Sequence, residues 1–219
     1  MRPREVKGND QTHVCRLHRT RQPDEHIAGQ RLYARMGGDR QGSSAAFAAR
    51  VRGLLAPMSV NPDEGWGLDH GTWTVLRHMF PRADIPVVQL SIDERQPAEY
   101  HFEVGKRLAP LRDEGVLIVG SGNLVHNLQA YAWGRHGAEP FDWAVRFEDK
   151  ARELLLAGND DPLIAYKTLG SDAALSIPTP DHYLPLLYVI ALRREGDLIR
   201  FPVEGVDGGS MSMLAVQIG

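Results

Sequence analysis

Three histidines stand where imidazole chemistry is possible. His126 lies in GSGNLVHN, directly after the apolar run GVLIV; His70 lies in GWGLDHGTW beside Asp69; His182 lies in PTPDHYLP beside Asp181. Each sits in a Gly- or Pro-punctuated turn at the boundary of an expected element, where open α/β sheets commonly present functional side chains. An adjacent aspartate is available to orient the ring at His70 and His182. A neutral imidazole accepts protons near pH 7 and ligates borderline metals such as zinc or ferrous iron. Taken singly, each histidine also reads as a satisfied structural residue, and the sequence does not show that the three converge.

Other chemistries find less support. The glycines of GSGNLVHN could cradle a phosphate, but their spacing matches neither GxGxxG nor the P-loop. Ser121 lacks the GxSxG spacing of a nucleophile elbow. His78, His101 and His136 fall on helix faces or in a polar loop, with no role expected. Imidazole at strand ends is therefore the leading chemical signal.

The elements that must position these residues are readable from Ala45 onward. AAFAARVRGLLA spaces Phe47, Val51, Leu54 and Leu55 on one helix face, and Pro57 ends it. HGTWTVLRHMF reads as a helix offering Trp73, Leu76 and Phe80 to the core. IPVVQLSID reads as a strand. PAEYHFEVGKRLAPLRDEG reads as a helix capped by Gly115, and GVLIVGSG as a second strand, so a βαβ crossover with parallel pairing is expected. FDWAVRFEDKARELLLAG predicts a long amphipathic helix. TPDHYLPLLYVIALRREG predicts another, with Thr179 as cap and Pro180 in its first turn. SMSMLAVQIG alternates as a closing strand. The expectation is a single α/β domain with a central, mostly parallel sheet flanked by helices.

Composition sets the outer limits. The chain has 219 residues, a formal charge of -3 and 42% hydrophobic residues, long enough for one sizeable core. The only cysteine, Cys15, permits no internal disulfide, and a reducing, cytoplasmic setting is expected. No apolar run reaches bilayer length and no signal peptide is evident, so no membrane partner is expected. Residues 1–44 differ from the rest: nine Lys or Arg stand against five Asp or Glu, and only eleven residues are hydrophobic. Such a segment buries too little apolar area to offset its ordering entropy, and reads as a basic, poorly ordered or aberrant leader to a domain over 45–219. Charge alone does not make it a nucleic-acid arm, and no nucleic-acid partner is expected.

The stretches WGLDHGTWTVL, IPVVQLSID, GSGNLVHNL, PTPDHYLPLLY and GSMSMLAVQIG resemble the class III extradiol ring-cleavage dioxygenases of the DOPA-dioxygenase type, in order over about residues 45–219. The resemblance implies an α/β fold, one divalent metal (Zn²⁺ or Fe²⁺), a catechol substrate such as DOPA, and O₂. It implies metal-site roles for His126 and His182, and a catechol-pocket position for His70. The proton-accepting role falls to His70 or His126. The family's GHGSPM-like and SAHW-like motifs, each carrying a metal histidine, are missing from residues 1–44. His13, His18 and His26 have different flanks there, and a frameshifted or misassigned start would account for the segment. Loss of N-terminal strands, an exposed sheet edge, weak metal binding and little activity are the corresponding expectations. The alternative is an inactive remnant or accessory subunit that keeps the fold.

Overall fold

The computed structural model describes residues 15–18, 32–36, 44–63, 67–135 and 137–219. Two short strands come from the basic N-terminal segment: β1 (Cys15–His18) and β2 (Leu32–Met36). Helix α1 (Ser44–Leu55) follows, then β3 (Asn61–Asp63), α2 (His70–Met79) and β4 (Val87–Leu90). Helix α3 (Ala98–Leu108) runs into a 3₁₀ turn at Ala109–Arg112, so Ala109 rather than the expected Gly115 caps it; Gly115, with φ 73°, turns the chain into β5 (Val116–Gly120).

The sheet order is β3-β1-β4-β2-β5. β1 and β4 pair in parallel, whereas β1–β3, β2–β4 and β2–β5 are antiparallel. This corrects two expectations. The sheet is mixed rather than mostly parallel, and β4 and β5 do not pair, because β2 lies between them and runs against both. Two strands from residues 1–44 occupy sheet positions, so N-terminal strands are not wholly lost. Both features arise from a segment whose sequence carries no strand periodicity.

In the second half, α4 (Asp142–Ala157) ends at Gly158, whose φ of 68° provides the left-handed cap. The short α5 (Asp161–Ile164) and α6 (Ser171–Ser176) precede α7 (Leu184–Ile190). Helix α7 is shorter than expected: Thr179–His182 form a turn in which the Tyr183 and Leu184 amides donate to the Pro180 carbonyl. The expected closing strand is split. β6 (Ile199–Val203) pairs with β9 (Ala215–Ile218), and β7 (Val206–Asp207) pairs with β8 (Met211–Ser212), both antiparallel. No helix among the described residues is long and apolar enough to cross a membrane.

One core joins these pieces. Phe47, Val51 and Leu55 of α1, Val104 and Leu108 of α3, and Leu187 and Tyr188 of α7 are all buried. Gly105 brings α3 against α7, since a Cβ there would lie 2.7 Å from the Tyr188 carbonyl oxygen. Helix α2 departs from expectation. Trp73 is 47% exposed, and Thr72 is the helix's buried residue.

His101 is fully buried in α3, with Nδ1 2.9 Å from the Tyr188 hydroxyl. Burial lowers its pKa from the usual 6.5 to about 4, against the Gln96 carbonyl and the Asp93 charge, which pull the other way. Between those two values the unfolded chain takes up a proton that the folded chain refuses. Stability is therefore present above pH 6.5, falls as the pH drops toward about 4 and then levels, with up to about 3 kcal/mol at stake. Urea unfolding across this range is expected to show that slope, and a His101→Gln variant to flatten it.

Candidate active site

The strand β5 ends at Gly120, and the chain then passes under the turn that carries His182. Neither Gly120 nor Gly122 has a positive φ. Their role is space. A Cβ on Gly122 would lie 2.1 Å from the His182 carbonyl oxygen, and one on Gly120 would lie 2.7 Å from the Pro185 carbonyl oxygen. Only glycine permits this backbone approach. No phosphate-loop geometry is needed to account for GSG.

The approach lets two segments bond. The Asn123 amide donates to the His182 carbonyl at 3.1 Å, and the Asn123 Nδ2 donates to the Ser212 carbonyl at 2.7 Å. That second bond fixes the side-chain amide, so Oδ1 is the atom 3.1 Å from His182 Nδ1. A carbonyl oxygen only accepts, so Nδ1 carries the proton and Nε2 of the neutral ring carries the lone pair. Asn123 thus sets the His182 tautomer. Its residue type alone does not mark it in the sequence, although it shares the SGNLVHN motif with His126.

His126 is held from both sides. Its amide donates to the Ser176 carbonyl at 2.9 Å, and it bridges to Met211 of β8. The Ser212 amide donates to the Val125 carbonyl, and the Asn127 amide to the Ser210 carbonyl. Ser212 in turn donates through Oγ to the buried Glu148 of α4 at 2.5 Å. Burial raises the Glu148 pKa, offset in part by that hydroxyl and by Arg152.

The outcome is direct contact between two of the three expected histidines. The His126 and His182 rings stack with centroids 3.3 Å apart and planes 8° from parallel. Burial lowers the pKa of His126, opposed by Asp181. Burial and then the neighbouring His126 lower that of His182; Asp181 at 3.6 Å opposes the shift, and His70 adds to it. Both shifts favour the neutral ring. His70 is the exposed first residue of α2, near enough for its charge to act on His182 but outside the stack.

These donors do not by themselves fit a metal ion. An imidazole ligates through a lone pair in its own plane, and the lone pairs of two near-parallel rings lie in separate planes instead of converging. Among the described residues, no cluster of three or more His, Cys, Asp or Glu is placed to hold a metal. His13, His26 and His136 lie outside the described residues, and for His18 the backbone alone is described, paired with Asn61 of β3.

Replacing Gly122 by Ala is expected to push the His182 turn off β5. The cost should be roughly 2–3 kcal/mol in urea unfolding, with loss of the mutual ring-current shifts of His126 and His182. Gly53→Ala serves as the control: it is in a helix with open space at Cβ and should be neutral or slightly stabilising.

Known proteins place this geometry in a family. The family model described as the catalytic LigB subunit of aromatic ring-opening dioxygenase matches residues 44–195. The 4,5-DOPA dioxygenase extradiol of Escherichia coli (strain K12) is 50% identical over 181 residues, covering 80% of this chain and 66% of that protein. The 4,5-DOPA dioxygenase extradiol of Beta vulgaris is 37% identical over 172 residues, covering 77% of this chain and 63% of the relative. The crystal structure of an uncharacterized protein from Escherichia coli K12 superposes with a TM-score of 0.73 at 41% identity, over 94% of this chain and 80% of that one. The chain spans between about half and two thirds of the length of the curated relatives it matches. With the match to the family model running through all three histidines, this chain belongs to the LigB family of aromatic ring-opening dioxygenases.

Proposed function

We propose that the chain carries part of an extradiol dioxygenase site, directed at a catechol-type aromatic substrate such as DOPA. In the reaction of such an enzyme, O₂ is the oxidant and the ring opens beside its hydroxyls. Both oxygen atoms enter a product that bears an aldehyde and a carboxylate. The observation that carries the reading is the His126–His182 stack, in a chain whose family cleaves aromatic rings.

The contribution of this chain's own residues is proton handling and orientation. A catechol hydroxyl must lose a proton as the ring is activated, and a neutral imidazole is suited to receive it. His70, exposed at the start of α2, and His126, half-buried in the loop after β5, are the candidates for that role. His126 and His182 are the two residues that would ligate a divalent ion, Zn²⁺ or Fe²⁺. His182 would do so through Nε2, the nitrogen that Asn123 leaves with its lone pair. Two stacked imidazoles do not close a site. A cytoplasmic location fits the single cysteine.

A second reading is favoured by the lack of a third donor among the described residues: a family member that retains the fold and has lost turnover, as a remnant or an accessory subunit. The two readings separate in one experiment. Protein incubated with Fe²⁺ under anaerobic conditions and desalted should retain well below one metal per chain. Its formation of the yellow semialdehyde from DOPA should be at least about a hundredfold slower than that of a full-length relative. Stoichiometric retained metal with turnover at the relative's rate would overturn this expectation and establish a complete enzyme.

A further inference from the structure

We infer that Gln89, in the middle of β4, is a positioning residue for His70. Gln89 is completely buried, in a strand whose Val88 and Leu90 are apolar and buried. An amide there is costly to bury unless its polar atoms are used. Its Oε1 is used twice, by the Asp69 backbone amide at 3.2 Å and by the Thr72 hydroxyl at 2.6 Å, while its Nε2 has no hydrogen-bond partner among the described residues. Both partners belong to the first turn of α2 or to its cap. Asp69 immediately precedes His70.

The N-terminus of α2 is thus tied down by a polar clamp. Asp69 Oδ1 accepts from the Thr72 amide at 2.9 Å, which caps the helix. The Thr72 hydroxyl lies 2.8 Å from the same carboxylate oxygen and 2.6 Å from Gln89 Oε1, so its one proton is shared between strand and cap. Among the described residues of α2, the apolar Val75 and Leu76 are only half-buried. Thr72 is the buried residue of α2, while Trp73, Arg77, His78 and Met79 are exposed. A helix without a buried apolar stripe has little packing to fix its position, so the strand amide sets where His70 stands relative to the His126–His182 stack.

This inference rests on His70 serving the catechol site, and the test keeps the two claims apart. Carbethoxylation by diethylpyrocarbonate, read residue by residue by mass spectrometry, follows His70 against His78 in the last turn of the same helix. In Gln89→Met, which keeps the volume and removes the acceptor, His70 should react roughly fivefold faster. That is the population shift expected for the loss of one helix cap. His78 should change less than about twofold, as a residue beyond the clamp. Thr72→Val should reproduce the effect and Thr72→Ser, which keeps the hydroxyl, should restore the parent rate; this pair decides the matter if Gln89→Met does not fold. An equal rise at both histidines marks general destabilisation and overturns the inference, as does no rise at His70. The underlying reading is checked on the parent protein, where DOPA should protect His70 from the reagent. Failure of protection with an intact Gln89→Met effect removes the functional reading and leaves the positioning.

Discussion

Two backbones meet at Gly122 more closely than any side chain allows, and the arrangement of the histidines depends on that contact. The missing Cβ lets the turn after β5 lie against the turn before α7, within reach of an amide-to-carbonyl bond from Asn123 to His182. Once the segments are joined, the Asn123 side chain reaches both His182 Nδ1 and the Ser212 carbonyl. Ser212 lies next to Met211, which bridges to His126. A single residue without a side chain therefore links tautomer, ring contact and the β8 strap. Any substituent at that position would have to displace backbone rather than the end of a flexible chain, which makes the constraint stiff.

The sheet supplies the frame for that contact. Because β2 runs against both β4 and β5, those two strands point the same way and present their C-terminal ends on one edge. His126 emerges beyond the end of β5, and the end of β4 holds the α2 cap through Gln89. This is the edge at which open α/β sheets gather functional groups, although the strand between is antiparallel. The anchoring differs on the two sides. The His182 side is fixed by Tyr183, Leu184 and Leu187 in the core, whereas the His70 side is fixed by polar bonds.

How far this was legible in the sequence follows from which interactions are local. Helices α1, α3 and α4 are legible because their apolar spacing acts within a few residues, as does the terminal Gly158 of α4. The meeting of His126 and His182 was anticipated through motif resemblance, and the structure brings them into contact; His70 was assigned to the same pocket and stands near but outside the stack. The sheet order was not legible. β1 and β2 come from a segment whose charge and low apolar content argue against strands, and inserting β2 between β4 and β5 is a long-range pairing that periodicity does not report. Trp73 was expected in the core because a tryptophan at helical spacing usually packs, yet α2 is anchored at its polar end. Asn123, Gln89 and Glu148 escaped notice for one reason: each acts through a partner between 17 and 89 positions away.

The stacked pair also explains why the site is prepared electrically before it is prepared geometrically. Two imidazolium rings 3.3 Å apart would repel by about 5 kcal/mol at an effective dielectric near 20, so the contact disfavours a second charge. Burial acts in the same direction on both rings. Both effects push the pair toward its neutral form. Its geometry is another matter, because the near-parallel faces are in contact and keep the in-plane lone pairs in separate planes. Opening that stack toward a common centre requires something to compensate the lost contact, and in a metal site the compensation is the ion itself, held by further donors. Charge state is set by the residues around the two histidines, but convergence depends on groups that the described part of this chain does not bring to them.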